Sequence, residues 1–219
     1  KKYNLKVIED NAQSAGANYK NKFTGTIGDI GVFSFNVHKV IQSGEGGMLV
    51  TNNKKYAFRA QLIRNHGESV INDLKFEKVY EPILGNNYRM TELQAAVVIE
   101  QLKKLKNLNN KRIVLANYLT KKLKKFDWLV SSLIVKNSTH VYYIYPLRFI
   151  SKKIGIKRAI FAKAMRAEGF DLGQGYQEPL YLFPLFQKKE IYPNSKFPFI
   201  SKEYPHKVNY KKGICPVTE

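Results

Sequence analysis

Two short apolar runs, at residues 30–35 and 48–51, bracket a polar, glycine-rich centre, and this arrangement limits the fold more than any other stretch. Ile30-Gly31-Val32-Phe33-Ser34-Phe35 and Met48-Leu49-Val50-Thr51 are dominated by β-branched, aromatic and other apolar side chains. Each reads as a buried strand bounded by turn residues. Between them lie a hydroxyl at Ser34, a lysine at Lys39 and the corner Gly44-Glu45-Gly46-Gly47. A lysine leaving the end of a buried strand starts partly desolvated, which favours its neutral amine. A neutral amine beside a hydroxyl suits Schiff-base chemistry with an aldehyde cofactor that carries a phosphate. The competing reading is a surface loop in a lysine-rich chain. The Gly-Glu-Gly-Gly corner predicts backbone with positive φ. It lacks the pattern of a nucleotide-binding P-loop.

A chain of 219 residues can build one large domain or two small ones with a sizeable core. No apolar run has the length of a membrane span, and the lysine-rich start lacks the apolar core of a secretory leader. The single cysteine excludes an internal disulfide and a cysteine-held cluster, so a reducing cytoplasm is the expected compartment. The net charge of +20 raises the question of nucleic acid. Its lysines are spread along the chain in doublets such as Lys54-Lys55 and Lys121-Lys122. They read as solvated faces, and neither nucleic acid nor membrane is an expected partner.

The periodicity predicts strands at 7–8, 30–35 and 48–51, a hairpin-like excursion at 18–26, and a helix over 54–64 capped by Asn52-Asn53. Residues 65–87 read as a long loop. Thr91 opens a helix whose apolar stripe includes Leu93, Ala96, Val97, Leu102 and Leu105, and a second helical pattern covers 111–125. Strands follow at 128–135 and 140–149, then a helix at 157–168 closed by Gly169 and a loop-rich remainder. Alternating strands and helices in the first half imply an α/β domain with a mixed, mainly parallel sheet. Active-site groups are expected at strand ends. The expected domains are 1–110 and 111–219.

Upstream, Val7-Ile8-Glu9-Asp10-Asn11-Ala12-Gln13 has an apolar lead-in, two acids, and Gln13 three residues after Asp10. Further segments are Leu62-Ile63-Arg64-Asn65-His66-Gly67, Gly85-Asn86-Asn87-Tyr88-Arg89-Met90-Thr91-Glu92-Leu93-Gln94 and Cys215-Pro216-Val217-Thr218-Glu219. Together with Ser34, Lys39 and the glycine corner, this ordered set resembles the DegT/DnrJ/EryC1/StrS sugar aminotransferases. The resemblance implies pyridoxal 5′-phosphate (PLP) dependence and the PLP-transferase fold type I. Residues 1–110 would then be the C-terminal part of the large PLP-binding domain, and 111–219 a small α+β domain. It also implies that the chain is a piece of a longer one, lacking an N-terminal segment with the first strands and a phosphate loop.

On that resemblance, Lys39 is the catalytic lysine and Asp10 pairs with the cofactor's ring nitrogen. Neighbouring strand residues face opposite ways, so one of Glu9 and Asp10 enters the site, and the resemblance selects Asp10. Gln13 is expected at the ring oxygen or over the ring face, or as a buried amide satisfied by backbone. Ser34 is expected on the phosphate, with a backbone hydrogen bond as the alternative. Asn87 matches a residue that reaches the phosphate of a neighbouring subunit, implying a homodimer with shared sites. His66, His140 and Tyr176 match positions lining the sugar pocket, and His140 reads equally as a core histidine.

The implied reaction moves an amino group, with glutamate as donor, onto a keto- or aldehyde-sugar, usually nucleotide-linked, for surface polysaccharide. The same superfamily holds sugar 3-dehydratases in which a histidine replaces the lysine. Here Lys39 is present and His38 is one position off. His38 and Val40 depart from the family's commoner residues beside the lysine and leave the sugar open. A regulatory, nucleic-acid-binding protein is the reading from another class. It would require a recognition motif, and the sequence shows none.

Overall fold

A computed structural model describes residues 2–67, 83–175, 178–202 and 208–219. Its central sheet begins with β1 (Ile8–Asp10), which carries the two acids at its C-terminal end. A small antiparallel hairpin, β2 (Asn18–Tyr19) and β3 (Lys22–Phe23), forms the excursion expected at 18–26. The apolar runs become β4 (Ile30–Ser34) and β5 (Gly47–Val50). The sheet order is β1-β4-β5, with β1 parallel to β4 and β5 antiparallel to it, so the sheet is mixed.

Gly31 is required where it stands: a Cβ there would lie 2.0 Å from the Gly25 carbonyl oxygen. Backbone can approach backbone this closely only without a side chain. In the corner, Gly44 and Gly46 take positive φ, 81° and 149°, as expected, while Gly47 enters β5.

Helix α1 (Lys54–Arg64) starts at Asn53, whose side chain accepts from the Lys55 and Tyr56 N–H groups. Helix α2 (Glu92–Leu123) opens with a full capping box: Thr91 accepts from the Gln94 N–H, and the Gln94 side chain reaches back to Thr91. The two helical patterns read at 91–105 and 111–125 are thus one continuous 32-residue helix. The intervening Lys106-Asn107-Leu108-Asn109-Asn110 lowers helix propensity, but it holds neither Pro nor Gly to break the ladder. Asn109 is buried and donates to the Ala15 carbonyl at 2.9 Å.

Strands β6 (Leu129–Ser131) and β7 (Leu147–Phe149) pair antiparallel beneath Trp128, whose ring meets Phe126 and Phe149. The long strand read at 140–149 is therefore confined to its last three residues. Residues 139–146 are irregular because Tyr142 takes φ 51°, which no extended strand can carry.

The chain clusters into two compact units, Lys1–Lys153 and Ile154–Glu219. Among the described residues, the first contains β1 to β7 together with α1 and α2. Helix α3 (Ser151–Ile154) spans the division. In the second, α4 (Arg158–Ala167) buries Ala162 and ends at Gly169 with φ 84°. A short 3-10 turn leads to α5 (Pro184–Lys188), and Phe186, Phe199 and Tyr210 meet edge to face. The domain division read between 110 and 111 falls inside α2. Among the described residues no helix is long and apolar enough to cross a membrane.

The core that bears on function lies where α2 crosses the segment after β4. Phe35, Ile41 and Val98 are buried together, with Met90, Leu105 and Leu108 packed around them. Ile41 is 2 % exposed.

Candidate active site

The alternation of a strand decides where the two acids point. In register, Glu9 lies beside Gly31 and Asp10 beside Val32. Asp10, Val32 and Ser34 therefore share one face of the sheet, and Glu9 takes the other. The Glu9 carboxylate accepts from the Gly25, Ile27 and Gly28 N–H groups at 2.8, 2.7 and 2.5 Å. Burial pushes its pKa up, but the three backbone donors outweigh this and hold it below the ordinary value. Asp10, at the exposed end of β1, accepts from the Ala12 N–H at 3.0 Å, which turns the chain towards Gln13.

Lys39 sits in a braced loop. Phe35 and Ile41 on either side of it are buried. The Lys39 N–H donates to the Asn36 carbonyl at 2.9 Å, Phe35 N–H to Gly46 at 2.8 Å, and Ser43 N–H to Phe35 at 3.0 Å. The Asn36 side chain accepts from the His38 N–H and donates to Glu45 at 2.8 Å. The Lys39 amine is thus carried on a fixed backbone. It lies 4.6 Å from the centroid of the Tyr143 ring, and among the described residues it has no carboxylate partner.

Two clefts meet here. One is lined by Ala12, Gln13, Ser34, Lys39, Ile41 and Tyr143, among others, with room for about 10 Å³ beside the amine. The other, about 310 Å³, is lined by Gln13, Thr139, His140, Val141, Tyr143 and Pro146, among others. The larger lies at the lower end of the range for small-molecule sites. Gln13 and Tyr143 line both.

Of the residues singled out in the sequence, Gln13, Ser34, Lys39 and His140 come together around these clefts. Asp10 stands on the face that Ser34 shares, one strand over. The Ser34 hydroxyl accepts from the Asn36 N–H at 3.3 Å, the backbone role weighed for it. His140 accepts the Tyr142 N–H at Nδ1 while lining the larger cleft. His66 and Asn87 come together elsewhere, at the C-terminal end of α1. There Asn65 bridges to Asn87 and the His66 N–H donates to Asn86. Neither lines the two clefts. Tyr176 and positions 68–82 of the long loop lie outside the described residues.

Tyr143 was missed in the sequence. Its signal was the aromatic density of 140–149, which reads as strand packing. The residue before it, Tyr142, takes a left-handed backbone, which has no sequence signature.

An amine, a carboxylate, an amide and a hydroxyl at the C-terminal ends of two parallel strands suit a flat, phosphate-bearing aldehyde. By the chemistry of its donor set the site therefore fits PLP. Among the described residues no cluster of metal-binding side chains competes with that reading.

The sequence profile of the DegT/DnrJ/EryC1/StrS aminotransferase family matches residues 1–209. An uncharacterised protein of Methanocaldococcus jannaschii is 32% identical over 94% of this chain and 55% of its own length. GDP-perosamine synthase of Caulobacter vibrioides is 31% identical over 84% of this chain and 48% of its own. The solved structure of DesV from S. venezuelae superposes with a TM-score of 0.73 at 26% identity, covering 89% of this chain and 49% of that one. The chain thus spans about half the length of the relatives it matches, and its mixed α/β fold is that of these aminotransferases.

Proposed function

Because the chain belongs to the DegT/DnrJ/EryC1/StrS aminotransferase family, we propose that the whole protein is a PLP-dependent sugar aminotransferase. It passes an amino group, with glutamate as donor, to a keto- or aldehyde-sugar, nucleotide-linked, for surface polysaccharide. The observation that carries this reading is the Lys39 amine. It is carried on a braced loop, has no carboxylate partner among the described residues, and shares a cleft with Gln13 and Ser34.

When bound, PLP supplies an electron-withdrawing ring that stabilises negative charge at the donor's α-carbon. Lys39 would hold its aldehyde carbon and, once displaced by the donor, serve as the base that moves the α-proton. Asp10 would keep the ring nitrogen protonated, which maintains the electron demand. Gln13 would meet the ring edge or face and Ser34 the phosphate. His140 and the 310 Å³ cleft beside it would take the sugar. His66, which lies away from that cleft at the end of α1, and Tyr176 are proposed as sugar contacts on the resemblance to the family alone. The presence of Lys39 disfavours a dehydratase.

The reading extends to assembly. Asn87 is exposed, its Oδ1 accepting from the Arg89 N–H, and suits a contact to the phosphate bound by a second copy. The reading therefore includes a homodimer with shared sites, as the resemblance to the family implies. The domain reading, 1–110 as part of the large domain and 111–219 as the small one, rests on the resemblance to the family and sets its boundary within α2, whereas the compact units divide between Lys153 and Ile154. The lone, exposed Cys215 is consistent with a reducing cytoplasm.

Absorbance of the whole protein tests the assignment. PLP should give a visible band that Lys39→Ala abolishes or shifts. A wild-type protein without the band, or an unchanged band in the variant, overturns it. Mass analysis of products from a panel of nucleotide-linked keto-sugars then identifies the substrate.

A further inference from the structure

The backbone at Tyr142 is left-handed, φ 51°, at a bulky residue that is 7 % exposed. Such a conformation is costly and persists only where its surroundings hold it. Here they hold it from both sides of the residue. The Tyr142 N–H donates to His140 Nδ1 at 2.9 Å, and the Tyr142 carbonyl accepts from the Arg112 guanidinium at 3.1 Å. The Tyr142 ring lies over His140, centroids 4.3 Å apart, and stacks with Tyr145 at 5.8 Å. Tyr145 is tied to α2 through Thr120 at 2.7 Å. The residue that follows this kink is Tyr143, whose ring lies over the Lys39 amine and forms a wall of both clefts.

We propose that His140 and Arg112 are positioning residues: they lock the left-handed turn at Tyr142 so that the Tyr143 ring faces Lys39 and separates the lysine cleft from the larger one. Tyr143 then sets how the amine is presented and what can lie against it from the larger cleft. His140 acts through Nδ1, which must be unprotonated to accept the N–H. Its ring remains free to line the larger cleft. The inference rests on the reading that Lys39 is the reacting amine; it adds Arg112 and Tyr143, which that reading does not use, and gives His140 a second task through Nδ1.

The test compares side chains that replace different atoms of the imidazole. Asn can offer an oxygen near the position of Nδ1, and Gln near that of Nε2. The readout is acetylation of Lys39 by limiting acetic anhydride in the whole, cofactor-free protein, measured by peptide mass spectrometry against exposed Lys103. Tyr143→Ala should raise the relative labelling of Lys39 about fivefold, the scale of a lost cation–π contact, while Tyr143→Phe stays near wild type. His140→Gln should behave like Tyr143→Ala, and His140→Asn like wild type. The internal Lys103 reference and a circular dichroism spectrum separate these effects from unfolding. Equal behaviour of His140→Asn and His140→Gln, or no change in Tyr143→Ala, overturns the proposal. A wild-type protein that binds no PLP removes the functional reading instead, and the labelling comparison separates the two failures.

Discussion

Glu9 and Asp10 are adjacent acids with opposite tasks. Glu9 gathers three N–H groups of the loop entering β4 and so fixes the strand pair that carries Asp10 and Ser34. Its lowered pKa stabilises the fold at every pH above the ordinary 4.5, and this contribution is lost as pH falls through the folded-state value. Glu9→Gln should therefore weaken the fold at neutral pH, on the order of 1 kcal/mol or more. It should also flatten the acid limb below about 4.5 in a urea-midpoint series against pH. Asp29, held low by the Val7 N–H and Lys6, keeps the remainder of that limb. That the two acids turn to opposite faces was legible in the sequence, because strand alternation requires it, and the assignment of Asp10 to the cofactor rests on the resemblance to the family. The aim of Tyr143 was not legible, because it depends on a single dihedral one residue earlier.

At the scale of elements, strands β4 and β5, helix α1 and the start of α2 were readable because each carries its signal locally: β-branched runs, an Asn cap, a Thr–Gln box. The continuity of α2 and the breakup of 140–149 were not, since both are settled by distant partners, Ala15 for Asn109 and Arg112 for Tyr142. The same contrast orders the energetics. Thr91→Ala removes a local cap and should cost about 1 kcal/mol. Ile41→Ala opens a void where α2 presses on the lysine loop and should cost about 2–5 kcal/mol. Chemical denaturation measures both. The second variant should also weaken PLP binding, because the brace around Lys39 loosens with it.

Across the whole molecule, the proposed dimer makes a prediction that no single-chain variant can. Lys39→Ala and Asn87→Ala should each abolish or cripple turnover, and mixing the two under exchange conditions should restore part of it. Each hybrid then has one site with both residues intact. No recovery, with light scattering showing that exchange took place, returns Asn87 to a purely local role at the end of α1.

One face of α2 presents Val98, Leu105 and Asn109 to the strand-bearing side, then Arg112 and Thr120 to the aromatic segment. The rod therefore works as a ruler between an amine and the ring opposite it. One residue inserted between Asn109 and Arg112 would rotate the far wall by about 100°, swinging Arg112 off its carbonyl. Seven would restore the phase yet move the walls about 10 Å apart. The spacing of Asn109 and Arg112 along this rod thus matters as much as their identity.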